Sequence, residues 1–311
     1  MRKRKQKIPQ EKKLFSNKQL ITISIALAAI IVLGFLLSGF LLQTQEVKFS
    51  LKAAIIDQLG EEFHNSDFND TGIVANILEN AGFNVSYHRS ETVNVTFYKG
   101  LAKYNYGIII LRSHSATRKG ETMVDLFTSE EFSEYEHVSE QENGLLTRGY
   151  YLWRPGEFYF AITPEFIENL EGCFPKSVVI AMGCNSLNAT CTEMAEAFIK
   201  KGAKAYIGWT GLVQPSHTDD ETINLLKMLL EKNKTIADAV STILPDYHFL
   251  PKSEMDYHPQ EVGSLKISDL IGEAKNSSNH QSAITLFEPV TMVCIRKFAP
   301  EIKRRILNLA C

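Results

Sequence analysis

A histidine and a cysteine each follow a run of large aliphatic residues. Ile108-Ile109-Ile110-Leu111 leads into Arg112-Ser113-His114-Ser115, and Val178-Val179-Ile180-Ala181-Met182 leads into Gly183-Cys184-Asn185-Ser186. A thiol of pKa about 8.5 is mostly protonated at neutral pH and a poor nucleophile. An imidazole within reach takes its proton and later returns one to a leaving group. Each residue also has a plainer reading. Cysteine is among the most buried residue types, a single histidine is commonly a surface or satisfied core residue, and Cys184 could pair with Cys173 or Cys191. HExxH, GxGxxG after a strand, P-loop and GxSxG motifs are all absent, which removes the common zinc peptidase, dinucleotide, nucleotide and serine-hydrolase readings. No cofactor and no metal are implied. His64-Asn-Ser-Asp67-Phe-Asn-Asp70 has cation-binding residue types, but a polar surface loop explains it more simply.

The two residues meet only if the aliphatic runs are neighbouring strands. Runs this apolar suit strands covered on both faces. Leu51–Asp57, Phe83–His88, Tyr106–Leu111, Ser177–Met182 and Ala203–Trp209 read as five such strands. Between them, apolar residues at helical spacing mark 70–81, with Gly82 as the stop, and 192–201, stopped by Gly202. Thr163-Pro164 opens another helix as N-cap and first residue. Residues 217–231 and 235–243 read as helices too. This alternation predicts an α/β fold with a doubly wound, mostly parallel sheet, whose functional groups gather at the carboxyl ends of the strands. Residues 115–160 interrupt the rhythm and read as an insertion with its own hairpin. Residues 245–282, rich in Pro and Asn-Ser, read as loop, 283–296 as a last strand pair and 301–309 as a short amphipathic helix.

The order strand–His–small, then strand–x–Cys–x–Ser, resembles the caspase-like (clan CD) cysteine peptidases. Gly202-Ala-Lys-Ala-Tyr-Ile-Gly208-Trp209 is similar to the strand that follows the nucleophile in the gingipain/legumain-like branch. The resemblance spans about residues 51–243. It implies His114 as general acid/base, Cys184 as nucleophile, and backbone N–H groups of Cys184 and Ser115 as oxyanion hole. The family usually has glycine where Ser115 stands. Asp57, at the end of the first strand, would contribute to the pocket for the residue before the cut and favour Arg or Lys there. Asp219, Asp220 and Glu221 could serve instead, although acids at a solvated helix N-terminus explain them more simply. Trp209 lines the pocket or belongs to the core. The implied activity is a cysteine endopeptidase forming an acyl-enzyme on a peptide or protein substrate. The alternatives are a non-catalytic caspase-like module that binds a protein partner, and a small-molecule-binding α/β sensor.

Charge and hydropathy place this unit in the chain. Residues 1–18 carry eight basic residues against Glu11, a basic cytoplasmic tail. Residues 20–42 (within a 19–43 segment) carry no charge, and as a helix would span roughly 34 Å at about 1.5 Å per residue, enough for a bilayer core of about 30 Å. The run is longer than a signal-peptide core and lacks a small-x-small site after it, so a retained single-pass anchor is the expectation, with the N-terminus cytoplasmic and the rest extracytoplasmic. A linker (44–50), the α/β domain (51–300) and a tail (301–311) follow. Sequons at Asn69, Asn84, Asn94, Asn188, Asn233 and Asn276 all lie beyond the anchor and fit a glycosylated exterior. Residues 46–311 hold 25 basic and 35 acidic residues, a balance that argues against a nucleic-acid partner.

Overall fold

The computed structural model describes residues 47–118, 122–151 and 153–281. The chain divides into Met1–Glu46 and Val47–Cys311, and the described residues belong to the second unit. The expected basic tail, transmembrane segment, last strand pair and C-terminal helix lie outside them. No helix among the described residues is long and apolar enough to cross a membrane.

The five expected strands form, at Lys52–Asp57 (β1), Asn84–His88 (β2), Ile108–Arg112 (β3), Val178–Ala181 (β8) and Ala205–Trp209 (β9). With Met255–His258 (β10) they make one sheet in the order β10-β9-β8-β3-β1-β2, parallel throughout except for β10. Strand alternation divides the core into two layers. Ala53, Ile55, Ile108, Ile110, Val178, Ile180, Ile207 and Trp209 face one layer. Ala54, Ile56, Ile109, Leu111, Val179, Ala181 and Tyr206 face the other.

Helices cover both faces, as a doubly wound sheet requires. Ile73–Asn80 (α1), Val95–Gly100 (α2), Val138–Glu142 (α3), Pro164–Glu168 (α4), Glu193–Lys200 (α5), Pro215–Leu226 (α6), Ile236–Val240 (α7) and Ile267–Gln281 (α8) follow in chain order. Residues of α1, α6, α7 and α8 join the first layer, and residues of α2, α4 and α5 join the second. Thr163 caps α4 as expected, its hydroxyl accepting from the Phe166 N–H.

Two regions depart from the sequence-based expectation. The insertion is a second, four-stranded antiparallel sheet rather than a hairpin. It comprises Ser115–Thr117 (β4), Val124–Glu131 (β5), Leu146–Tyr150 (β6) and Phe158–Ile162 (β7), in the order β4-β5-β7-β6. Its Leu126, Leu146, Phe160 and Ile162 pack into the second layer of the main core. Residues 245–282 are not loop throughout, since β10 and α8 lie there. Four-residue β10 is too short and too polar to carry a periodic signal. It forms because Met255–His258 find the open edge of β9, opposite Trp209–Tyr206.

Candidate functional site

Strand register brings the histidine and the cysteine to the same level. β3 and β8 are adjacent and parallel, with Leu111 opposite Ala181, and the Met182 N–H donates to the Leu111 carbonyl at 2.9 Å. Three residues further on each strand come His114 and Cys184. A side chain locks the two ends together: the Ser115 hydroxyl donates to the Cys184 carbonyl at 2.7 Å. Gly183 permits this approach, because a Cβ there would collide with the Ser115 hydroxyl and lie 2.6 Å from the Ser113 carbonyl oxygen. The chain then turns sharply through Asn185, whose φ of 56° is left-handed, a conformation asparagine tolerates better than most residues.

Cys184 is a half-buried free thiol, and Cys191 is buried and also free. The Cys184 thiol donates to the Val213 carbonyl at 3.6 Å, and the Val213 N–H donates to Sγ at 3.4 Å. Burial pushes its pKa up, the Asp246 carboxylate adds to the rise, and the Val213 N–H opposes it.

His114 is held on every side. Its Nε2 lies 3.1 Å from Glu62 Oε2. A carboxylate only accepts, so Nε2 carries the proton and Nδ1 is the basic nitrogen of the neutral ring. The His114 backbone N–H donates to Gln58 Oε1 at 3.0 Å, and Gln58 Nε2 donates to the Tyr151 hydroxyl at 3.3 Å. The Tyr151 and Trp153 rings stand 4.6 and 5.5 Å from the imidazole, centroid to centroid. Trp153 Nε1 donates to the other Glu62 oxygen at 2.6 Å. Burial lowers the His114 pKa, and Glu62 opposes the fall. Thiol and imidazole are therefore both neutral at neutral pH.

Ladder geometry fixes the direction of the Ser115 N–H. The Phe127 N–H donates to the His114 carbonyl and the Arg118 N–H to the Met123 carbonyl. Ser115, opposite Leu126, thus falls at a non-hydrogen-bonded position of the β4–β5 ladder. Its N–H points away from β5, toward the open edge of that sheet.

Asp57 is placed differently from the sequence-based expectation, and Trp209 takes the core alternative of the two left open for it. The Asp57 carboxylate is buried, accepting from Arg112 Nη1 at 2.6 Å and from the Tyr87 hydroxyl at 3.0 Å. It is no open pocket wall for a basic side chain. Asp219 is not a solvated helix-end acid either. Arg112 donates to both of its oxygens at 2.8 Å, and Asn65 Nδ2 adds a third bond at 2.9 Å. Glu221 is likewise buried and accepts from the Leu244 N–H. Asp220 alone of the three is exposed. Trp209 is wholly buried in the core, with its indole N–H on the Thr218 hydroxyl at 2.8 Å.

Four residues past Cys184, in a sequon whose Ala189 and Thr190 are exposed, stands half-buried Asn188. Its Nδ2, the glycan attachment atom, donates to the Thr210 carbonyl at 2.9 Å. In the loop 64–70, Asn65 serves Asp67 and Asp219. No group of three His, Cys, Asp or Glu among the described residues could hold a metal ion.

Glu62, Gln58, Tyr151, Trp153, Val213 and Asp246 escape a reading of the sequence. They come from four separate segments with no common motif. The one signal near them is the acid pair Glu61-Glu62 shortly after β1.

No protein-family model matches the chain, and no curated protein matches it.

Proposed function

We propose that the protein is a cysteine endopeptidase of caspase-like type, with Cys184 as nucleophile and His114 as general acid/base. One observation carries this reading: each residue lies three positions past the last register pair of two adjacent strands, Leu111 opposite Ala181, and Ser115 ties their loops together at 2.7 Å. His114 Nδ1 takes the thiol proton as sulfur attacks the peptide carbonyl. The carbonyl oxygen becomes an oxyanion, met by the Ser115 and Cys184 N–H groups; donors of this kind are worth about 3–4 kcal/mol of barrier. The imidazolium then gives its proton to the departing amine, leaving a thioester on Cys184. Water, deprotonated by the same imidazole, releases the acid and returns the proton to sulfur. Glu62 fixes the tautomer this sequence needs. The proposal includes an outward-facing location on an anchor at residues 20–42, with peptide or protein as substrate.

The test is covalent labelling by a peptide acyloxymethyl ketone. Labelling at Cys184 that falls about 10²–10⁴-fold in His114→Ala, the usual worth of a general base, supports the reading. Equal labelling of His114→Ala and wild type rejects it.

The rival is a non-catalytic module of the same fold that binds a protein partner. It is favoured by the aromatic cover on His114 and by the sulfur's two contacts to Val213. It predicts no peptide-dependent labelling at all.

A further inference from the structure

Glu62 has two oxygens and three neighbours that could take them. Oε2 lies 3.1 Å from His114 Nε2, Oε1 accepts from Trp153 Nε1 at 2.6 Å, and Arg154 Nη2 stands 3.7 Å from the same Oε1. At that distance the guanidinium is an ionic neighbour and not a hydrogen-bond partner. Its Nη1 lies 3.4 Å from Glu157, whose carboxylate also accepts from the Tyr159 hydroxyl at 2.9 Å. A guanidinium matches a carboxylate with two parallel N–H groups, as Arg112 matches both oxygens of Asp219. An approach of about 1 Å would bring Arg154 to charge-assisted hydrogen-bond distance of Glu62. The indole N–H, which can only donate, already occupies the oxygen that Arg154 faces.

The indole is held where this bond forms. Its ring lies nearly parallel to that of Tyr151, with 5.2 Å between centroids and 19° between planes. Tyr151 is buried, and its hydroxyl takes the Gln58 amide at 3.3 Å. The turn that carries both rings closes through the Arg154 N–H on the Tyr151 carbonyl and the Glu157 N–H on the Arg154 carbonyl, each at 3.2 Å. Gly156 supplies the positive φ of 92° that the turn needs. Glu62 stands on a turn of its own, its N–H on the Leu59 carbonyl at 3.0 Å. Trp153 is nevertheless 57% exposed, so it is no core residue, and the bond to Glu62 is its one hydrogen bond among the described residues.

We infer that Trp153 is a positioning residue, whose indole N–H keeps Glu62 on His114 and away from Arg154. It acts through Glu62 and touches no reacting atom. Its part in catalysis rests on the peptidase reading, but the arrangement is tested without substrate. The full chain, held in detergent and carrying 13C at histidine Cε1, is titrated by NMR. The His114 signal, one of eight, is assigned by its loss in His114→Gln. Burial lowers the His114 pKa, Glu62 raises it, and Arg154 and Arg112 lower it. Trp153→Phe keeps a ring beside Tyr151 and removes the N–H. Transfer of Glu62 to Arg154 then takes the His114 midpoint below wild type, with the melting temperature unchanged. Arg154→Met should raise the midpoint more in the Trp153→Phe background than in wild type, because only there has the guanidinium drawn the carboxylate off the imidazole. Were Trp153 only a cover, its loss would admit water and the midpoint would rise. A rise, an unmoved midpoint, or equal effects of Arg154→Met in the two backgrounds would each overturn the inference. Labelling of Cys184 by the peptide acyloxymethyl ketone separates the inference from the peptidase reading. It should slow about tenfold in Trp153→Phe, part of the roughly 10²–10⁴-fold worth of a general base, and recover when Arg154→Met is added. Labelling of Trp153→Phe at the wild-type rate overturns the inference. Midpoints that move as expected, with no labelling of any variant or of wild type, uphold the arrangement and overturn hydrolysis alone.

Discussion

Burial acts on Cys184 and His114 in opposite directions, and both shifts favour the neutral form. It penalises the thiolate, raising the cysteine pKa, and it penalises the imidazolium, lowering the histidine pKa. The reactive species in alkylation is the thiolate. Iodoacetamide should therefore modify Cys184 more slowly than an ordinary free thiol at pH 7. Its rate should climb with pH through and beyond the usual thiol range near 8.5. A rate already level below pH 7 would mean a resting thiolate–imidazolium pair and refute this. Asp246→Asn removes a negative charge that favours the protonated sulfur, so its rate at fixed pH should exceed wild type. Mass spectrometry of tryptic peptides reads both rates, with buried Cys191 as internal reference. At this scale the sequence offered the thiol and the imidazole. It could not offer Glu62, Asp246 or Val213, whose contributions exist only as contacts between distant segments.

The ends of β3 and β8 form one unit, not two loops that happen to meet. Gly183 is its hinge point, since its missing side chain lets Ser115 reach the Cys184 carbonyl. Gly183→Ala should cost about 1–3 kcal/mol by overpacking. It should also sharply reduce peptide-probe labelling while β3 and β8 stay paired. Gly272, within α8 and with open space around its Cα, is the contrasting case. There alanine should stabilise by up to about 1 kcal/mol through helix propensity. Chemical denaturation of both variants, with probe labelling on the first, checks the pair. If Gly183→Ala labels at the wild-type rate, the tight approach is irrelevant to the site. β1, β3, β8 and β9 were legible as elements because residues buried on both faces must be apolar without interruption. The four strands of the inserted sheet were not, as one face rests on the core while the other carries polar residues such as Glu131, Thr147 and Tyr159.

Across the whole domain the order β10-β9-β8-β3-β1-β2 reverses direction between β1 and β3, the place where such sheets usually open a crevice. Here that place is filled by Arg112, wholly buried and bound by Asp57 and Asp219 together with the Phe63 carbonyl at 2.7 Å. The guanidinium joins β1, β3, α6 and the loop after β1 into one body. Arg112→Met would leave two buried carboxylates facing one another, and breaking a buried pair this way typically costs about 3–5 kcal/mol. Adding Asp57→Asn and Asp219→Asn should restore a large part of the loss, measured by urea denaturation. Arg112→Met with wild-type stability would refute the account. The arginine sits beside the candidate site, so its loss should also loosen Gln58 and His114.

The alternation of apolar runs and helix-spaced segments was sufficient to indicate a parallel, doubly wound sheet, because a strand covered on both sides admits only apolar residues. It also indicated which two strand ends carry the thiol and the imidazole, because those residues directly follow the aliphatic runs in the chain. Only tertiary structure decided which acids stay open to a ligand. Burial and pairing depend on residues brought together from segments up to 154 positions apart, as Asn65 and Asp219 are. The same holds for Trp209, which the sequence left between pocket and core. Its position in a strand enclosed on both faces made it core, since the sheet leaves an indole there no route to solvent.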